Sequence, residues 1–345
     1  MARGDGSGAG WFAAAALLAL VACGDQNGPL NERGVWKYAP TAADTRPTTA
    51  AVGAVPAEAP PAAAPTPAPA APKPAPARAP SAPVRAGAYK VVAVEGGGTV
   101  RVRCKLAAAV TLPKVPVTKD TDRGCHHDGH GAMDSERLVY DAASLGVGNC
   151  LVRIVKIDAG KDWPEPMRSE DRVATIDQKG CVYVPHLLAV RTGTQIVVLN
   201  SDAADHNIHA YRESMADSTF NLGSPPGSKL ENQDALLERA GTYILKCDIH
   251  PWMSGHVVAA PHPYFDVTAA LDDPLTGRKA GEAVLTDVPP GTWELELWHE
   301  GTVETVVRDG AKVTSVSYSP AFTQTATVTV PPGGTVEHTF VVEAR

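Results

Sequence analysis

The fold of this chain is decided by the stretch Lys246-Cys247-Asp248-Ile249-His250-Pro251-Trp252-Met253. It places a thiol, an imidazole and a thioether on Cys247, His250 and Met253, each three residues after the last. Upstream, the segment Asp205-His206-Asn207-Ile208-His209 adds two more imidazoles. Two short segments thus supply the side-chain types that bind soft metal ions.

The donor types indicate which metal these segments bind. Two His and one Cys in a trigonal plane, with a weak axial Met, are the ligand set of a blue-copper electron-transfer site. Thiolate, thioether and imidazole donors suit copper far better than magnesium or calcium. Taken singly, a buried thiol, a surface histidine or a core methionine is commoner than a ligand. The four donors together at this spacing favour one type 1 copper ion.

Length and composition limit the classes of protein that fit. The 345 residues allow two or three domains, and the net charge of -7 argues against nucleic acid as the main partner. No Cys-x-x-Cys pair occurs, which argues against a zinc ribbon or a c-type haem. There is no recognisable triad, paired-carboxylate motif or P-loop, so we expect a protein that is not an enzyme.

Residues 1–23 read as a signal segment. A weakly basic start is followed by an apolar run, Trp11 to Ala22, which is too short for an ordinary spanning helix. The run ends in Leu20-Val21-Ala22-Cys23, which resembles a bacterial lipobox and predicts lipidation of Cys23. The alternative is a plain signal peptide in which Cys23 is incidental. Both predict an extracytoplasmic protein, and the first predicts one that is lipid-anchored to the cell envelope, facing the periplasm or the cell surface.

Residues 24–86 are dominated by Ala and Pro and predict a disordered tether, because such a composition buries too little apolar area for a core. Residues 87–180 read as a β-rich extension packed on the copper domain.

Four of the six cysteines remain once Cys23 and Cys247 are assigned to the lipid and the copper ion. Oxidising surroundings permit disulfides, and four cysteines allow three pairings. Cys104 and Cys150 fall on predicted strands, whereas Cys125 and Cys181 fall at loop ends. We expect the pairs Cys104–Cys150 and Cys125–Cys181.

A cluster of histidines lies in the same extension, at His126-His127-Asp128-Gly129-His130. Imidazoles with a carboxylate can bind zinc or copper(II), which makes a second metal site one interpretation. The other interpretation is a solvated polar loop, which such a composition favours.

The region from Gly180 to Ala260 resembles a cupredoxin, most of all the amicyanin and pseudoazurin branch, and more broadly plastocyanin-like blue copper proteins. The resemblance is carried by six features: Tyr183-x-Pro185, the Gly193 turn, Asn200-x-Asp202, His206-Asn207, Gly241-Thr242-Tyr243 and Cys247-x-x-His250-Pro251-x-Met253. It departs from a minimal cupredoxin over Tyr211–Glu238, which is longer and more polar. It implies a Greek-key β-sandwich over residues 181–262.

By that resemblance the copper ligands map to His206, Cys247, His250 and Met253. Asn207 maps to the residue that ties the two ligand loops together by hydrogen bonding. His250 would be the ligand nearest solvent and the exit for the electron. Structural or surface roles are then expected for the neighbouring histidines, His209, His256 and His262, whereas His186 is ambiguous.

Residues 263–345 predict a second small β-sandwich, since short alternating strands are separated by the turns Pro289-Pro290-Gly291 and Pro331-Pro332-Gly333. Val288–Glu300 resembles carboxypeptidase-regulatory-like, or transthyretin-like, domains, which share a carbohydrate-binding-like fold. The fold class is therefore all-β, with two sandwiches behind a disordered tether.

Three functions fit these features. The leading one is a membrane-tethered blue-copper protein that exchanges single electrons with a redox protein such as a c-type cytochrome. The second is a copper-binding or storage lipoprotein without a redox partner. The third is a surface module whose C-terminal sandwich contacts glycan or protein.

Overall fold

A computed structural model describes residues 89–112, 114–116, 125, 132–231, 237–274, 276–309 and 312–343. These residues form twenty-two strands and one helix of four residues, which confirms the all-β prediction. Within those ranges, no helix has the length and apolar character that crossing a membrane requires. The predicted signal segment with Cys23, the tether at 24–86 and the His126–His130 cluster lie outside the described residues.

The first part of the described chain forms short strands and the helix α1 (Glu165–Arg168). These strands are β1 (Lys90–Val91), β2 (Gly98–Leu106), β3 (Lys114–Pro116), β4 (Ala132–Asp134), β5 (Leu151–Ile154) and β6 (Ala159–Gly160). The middle part forms β7 (Val173–Gln178), β8 (Tyr183–Val184), β9 (Leu187–Arg191), β10 (Gln195–Asn200), β11 (His206–Arg212), β12 (Ser218–Ser224), β13 (Lys229–Leu230), β14 (Gly241–Lys246) and β15 (Ser254–Ala260). The last part forms β16 (Phe265–Val267), β17 (Glu282–Val288), β18 (Gly291–His299), β19 (Val303–Asp309), β20 (Lys312–Tyr318), β21 (Phe322–Val330) and β22 (Thr335–Val342).

The first sandwich, residues 173–260, consists of two sheets. One has the strand order β13-β10-β7-β8, and the other has the order β12-β11-β14-β15-β9. Burial alternates along β7 and β14, as expected of strands with one face on a core. The apolar core between the sheets includes Ile176, Ile196, Ile208 and Leu245. This sandwich begins at β7, a few residues before the boundary predicted at 181.

The second sandwich combines strands from both ends of the described chain. One sheet has the order β16-β5-β18-β21, and the other has the order β17-β2-β22. Strand β2 pairs antiparallel with β17 and parallel with β22. On β2, Val100, Val102, Cys104 and Leu106 are buried while Arg101 between them is exposed, so the strand presents one apolar face to this core.

This pairing corrects the predicted domain organisation. Residues 87–180 were expected to extend the copper domain, and residues 263–345 were expected to form a sandwich alone. Instead β2 and β5 complete the sheets of the C-terminal strands, so the first sandwich is inserted into the second. The apolar face of β2 is buried in a core to which the C-terminal strands β17, β18, β21 and β22 contribute, which is the physical reason for the difference.

The two sandwiches meet across a small apolar contact. It is formed by Leu187, Ala189 and Val258 from the first sandwich and by Leu151 and Trp298 from the second. Each of these side chains lies on the face of its strand that points away from its own core, because neighbours in a strand alternate between faces. The outer face of the β9–β15 sheet therefore packs against the β5–β18 sheet.

The predicted disulfides have different outcomes. Cys125 and Cys181 are bonded, with Cα atoms 5.5 Å apart. Cys104 and Cys150 are free, buried thiols, so the expected Cys104–Cys150 bridge is not formed in the structure. A hydrogen bond to the Cys150 side chain, with burial, raises the pKa of the Cys104 thiol. The two side chains are neighbours in the second core.

His262 gives the protein a pH-dependent stability. Its side chain is buried, and the backbone N–H of Tyr264 donates to its Nδ1 at 3.3 Å, which requires an unprotonated nitrogen there. Burial, reinforced by the charge of Arg153, lowers the pKa of His262 to about 4. An unfolded chain protonates histidine near pH ~6.5.

The contribution of His262 to the free energy of unfolding should be complete above pH ~6.5. It should fall by about 3 kcal/mol as the pH drops toward ~4, because only the unfolded chain takes up this proton in that range. Urea denaturation at a series of pH values measures it. His262→Asn keeps an acceptor for the Tyr264 amide but cannot titrate. Between pH ~6.5 and ~4 this variant should therefore lose about 3 kcal/mol less of its free energy of unfolding than the wild type. If the free energy falls equally with pH in the two proteins, His262 is not the titrating group.

Candidate metal centre

The predicted donors lie at one end of the first sandwich. Strand β14 ends at Lys246, and residues 247–253 form a loop that leads into β15. The loop is closed by backbone hydrogen bonds from Met253 N–H to His250 O (2.9 Å) and from Cys247 N–H to Met253 O (3.4 Å). Because Leu245 points into the core, the period of two places Cys247 on the same inward face.

Three of the predicted donors converge in this structure. His206 Nδ1 lies 2.9 Å from His250 Nδ1, and Cys247 Sγ lies 3.7 Å from that same nitrogen. All three donor atoms lie within 4.8 Å of one another. Nitrogen and sulfur donors ~2.0–2.3 Å from a central ion are roughly 3.5 Å apart in a trigonal plane. The arrangement therefore fits one metal ion with little movement.

The fourth predicted donor is buried beside them. Met253 is fully buried and belongs to the same core cluster as Cys247. His206 and His250 are also almost completely buried, at 2% and 1% exposure. A buried, mostly sulfur and imidazole environment excludes water from the donors and suits a soft ion.

The histidines also control the protonation of the thiol. Burial alone would raise the pKa of Cys247, but hydrogen bonds to His206 and His250 outweigh it and lower the pKa to about 6. Burial lowers the pKa of His206, whereas its contacts with Asp202 and Cys247 raise it to about 9 overall. The site thus favours a thiolate, which is the form of cysteine that binds metals.

Asp202 is a residue of the site to which the sequence alone gave no role. Its Oδ2 lies 2.9 Å from His206 Nε2, the ring nitrogen that points away from the other donors. Its two carboxylate oxygens also accept the backbone N–H groups of Gly180 and Cys181, at 2.6 and 2.8 Å. A carboxylate behind a metal-binding imidazole fixes the tautomer and the ring orientation. The only sequence signal for it was its position in the Asn-x-Asp corner before His206.

Asn207 connects the two donor segments. Its Oδ1 accepts the backbone N–H of Asp248 at 2.6 Å, and its Nδ2 donates to Asp248 Oδ2 at 2.8 Å. Its backbone carbonyl accepts from Tyr183 Oη and Gln178 Nε2, at 2.8 and 3.1 Å. These bonds hold the start of β11 against the ligand loop and against the opposite sheet.

His209 lies outside the donor group. Its side chain is 18% exposed, and its Nδ1 lies 3.1 Å from Asp248 Oδ2 on the surface side of the sheet. Its ring stacks on Tyr211, with ring centroids 4.1 Å apart. His206, rather than His209, therefore faces Cys247 and His250.

The expected solvent-facing edge of His250 is covered. His250 Nε2 lies 3.6 Å from Sγ of Cys125, which is disulfide-bonded to Cys181. The Trp252 ring also packs against His250, with its centroid 5.0 Å from that of the imidazole. The expectation that His250 is the ligand nearest solvent does not hold, because the bridge occupies the edge of the imidazole through which solvent would reach it.

No protein-family model matches this chain, and no curated protein matches it. Solved structures similar to part of it include the purple cupredoxin from Nitrosopumilus maritimus, with 24% identity over 25% of this chain and 99% of that one, at a TM-score of 0.21. They also include a methionine-to-glutamine variant of amicyanin in its Cu(I) form, with 27% identity over 26% of this chain and 82% of that one, at 0.21. Auracyanin from Roseiflexus castenholzii shares 17% identity over 26% of this chain and 97% of that one, at 0.23. Each of these similarities covers about a quarter of the chain. The site is therefore identified from the positions of its own donor atoms.

Removing the bridge should both destabilise the protein and uncover His250. The double substitution Cys125→Ser and Cys181→Ser opens a loop of 56 residues, for which the chain-entropy estimate is about 4 kcal/mol. Chemical denaturation of the metal-free protein measures that loss.

Carbethoxylation by diethyl pyrocarbonate, mapped by peptide mass spectrometry, measures the exposure of His250. It should be protected in the metal-free wild type and modified in the double variant. His209 is the internal control, since its partly exposed ring should react in both proteins. Equal protection of His250 in both would show that the bridge does not cover it.

Proposed function

We propose that this protein is a one-electron carrier with a type 1 copper ion held by His206, Cys247, His250 and Met253. The observation that carries the proposal is the convergence of two imidazole nitrogens and one thiolate sulfur at one buried point. The fully buried Met253 supports it, since the thioether follows in the same short loop.

Copper supplies a one-electron couple, Cu(II)/Cu(I), when it is bound by such a set. The residues keep the donor geometry the same for both oxidation states. Asp202 fixes the ring of His206, and Asn207 fixes the loop that carries Cys247. A site held in this way favours electron transfer over storage, since a storage site must release its ion.

We propose that the protein is not an enzyme and that it passes electrons to or from a redox protein such as a c-type cytochrome. Ile249 lies between two of the donors in the ligand loop and is 40% exposed, although it is a large apolar residue. An exposed apolar residue beside a redox centre suits a transient contact with a partner protein.

We further propose that the protein works outside the cytoplasm, attached to the envelope by a lipid on Cys23. The Leu20-Val21-Ala22-Cys23 box and the Ala/Pro-rich segment after it support this. The Cys125–Cys181 disulfide also fits an oxidising compartment.

Visible absorption of the copper-loaded protein tests the proposed function. A thiolate bonded to copper(II) should give an intense visible charge-transfer band, and Cys247→Ser should abolish it, because a hydroxyl is a hard, weak substitute. Met253→Gln should keep copper bound but lower the reduction potential, since an axial oxygen donor favours copper(II).

The two histidines of β11 provide a matched pair for this test. His206→Ala should disrupt the band, whereas His209→Ala, three residues along the same strand and on its solvent side, should change it little. The opposite result would place the ligand at His209. A copper-loaded wild-type protein without the band would refute electron transfer and support storage instead.

Mass spectrometry of the mature protein purified from membranes tests the anchor. The first residue of the mature protein should be Cys23, and it should carry acyl chains. Two or more such chains, at ~0.8 kcal/mol per buried methylene, would hold the protein stably on the membrane. Cys23→Ala should leave the protein in the soluble fraction. A mature chain that begins elsewhere without a lipid would contradict this part of the proposal.

A further inference from the structure

A second group of metal-binding side chains lies between the two sandwiches. His256 is on β15 and His186 immediately precedes β9, both in the first sandwich, while Glu300 immediately follows β18 in the second. All three are buried, with exposures of 7%, 8% and 3%. His256 comes three residues after Met253, and the alternation of β15 turns His256 to the outer face of the sheet, away from the first core.

The donor atoms of this group are close enough to share one ion. One donor atom from each residue lies within 4.8 Å of the other two. His186 Nε2 contacts Glu300 Oε1, and His256 Nδ1 lies 3.6 Å from Glu300 Oε2. Two donors with bonds of ~2.0–2.2 Å to a tetrahedral ion are roughly 3.4 Å apart. The second separation is thus long for a hydrogen bond but suits two ligands of one ion.

One of these atoms has no partner that satisfies it. His256 Nδ1 is buried and without a hydrogen bond among the described residues, and it faces Glu300 Oε2, which is paired with Arg137. An orphaned buried polar atom is costly, so natural structures usually pair it with protein, water or an ion. A cation between His256 Nδ1 and Glu300 Oε2 would satisfy the imidazole nitrogen.

The charges around the group include both signs. Arg137 Nε lies 3.2 Å from Glu300 Oε2, and its side chain also donates to the Glu300 backbone carbonyl at 2.7 Å. Glu136 Oε2 lies 3.7 Å from His186 Nδ1, the ring nitrogen that faces away from Glu300. A carboxylate behind a metal-binding imidazole orients the ring. The two carboxylates carry two negative charges, which equal the charge of a divalent ion, and Arg137 adds one further positive charge.

We propose that His186, His256 and Glu300 bind a divalent cation of the zinc class, zinc or copper(II), that joins the two sandwiches. Two imidazoles and one carboxylate are a zinc ligand set, and imidazoles suit copper(II) as well. Because two ligands come from one sandwich and the third comes from the other, the bound ion cross-links them. Its role is structural, and it is separate from the copper ion of the proposed function.

Zinc titration of the full-length protein loaded with one equivalent of copper(I) tests the proposal, because this soft ion occupies the thiolate site and leaves the imidazole and carboxylate donors free. The wild type should bind one further zinc ion per chain, counted by elemental analysis after dialysis. His256→Gln and Glu300→Gln should each weaken zinc binding at least ~100-fold, since metal affinity already falls 10- to 100-fold when only an outer-shell partner is lost. Zinc ions per chain are also counted in the double variant Cys247→Ser/His206→Ala, which lacks the proposed copper site. One zinc ion there shows that the second site exists whether or not the copper assignment is right.

Glu296→Gln is the matched control. Glu296 is also a buried carboxylate on β18, but it is paired with Arg153 at 2.8 Å and lies away from the two histidines. This variant should bind zinc like the wild type. Equal binding by Glu296→Gln and Glu300→Gln would overturn the proposal and place the zinc elsewhere.

A wild-type protein that binds no further ion would also overturn it, leaving His186 and Glu300 as a buried ion pair. If the glutamine variants fail to fold, zinc X-ray absorption of the wild type decides instead. It should show two imidazoles, oxygen donors and no sulfur, and a sulfur ligand would refute the assignment.

Discussion

The metal centre depends on the register between β11 and β14. His209 pairs with Lys246, and Ala210 pairs with Leu245. In an antiparallel pair a slip of one residue moves every side chain to the opposite face, which would turn Cys247 out of the core. The two hydrogen bonds between Asn207 and Asp248, one donated by each residue, hold this register at the end of the strand pair where the ligand loop begins. The donor geometry is thus a consequence of strand pairing and does not rest on the loop alone.

The parts that the sequence predicted are local ones. The spacing of Cys247, His250 and Met253 within one loop, and the alternation that turns Cys247 inward, require only neighbours in the chain. The role of Asp202 could not be predicted, because its contact with His206 depends on how the corner after β10 folds back. The sequence also could not predict that a disulfide covers His250. Cys125 comes from a distant segment, and its pairing with Cys181 does not show what the bridge packs against.

The domain organisation shows the same limit. Alternation along β2 predicts a strand with one buried face, but it does not identify the strands that pair with it. In the structure these are β17 and β22, which lie at the other end of the chain. Inserting the first sandwich into the second fixes both of its ends to one body, and it brings Glu300 next to His186 and His256. A polar cluster of this kind arises only from the tertiary arrangement, so no motif in the sequence could indicate it.

The sheet that contains β14 and β15 separates two kinds of donor. Its inner face carries Cys247, with Met253 at the end of the loop, and sulfur donors of this kind suit the proposed copper ion. Its outer face carries His256, which meets a carboxylate, and such harder donors suit zinc. Zinc has no redox chemistry, so an ion at the outer face would hold the two sandwiches together without changing charge. The alternation along β14 and β15 therefore places the donors of the two proposed ions on opposite faces of the sheet, within a few residues of sequence.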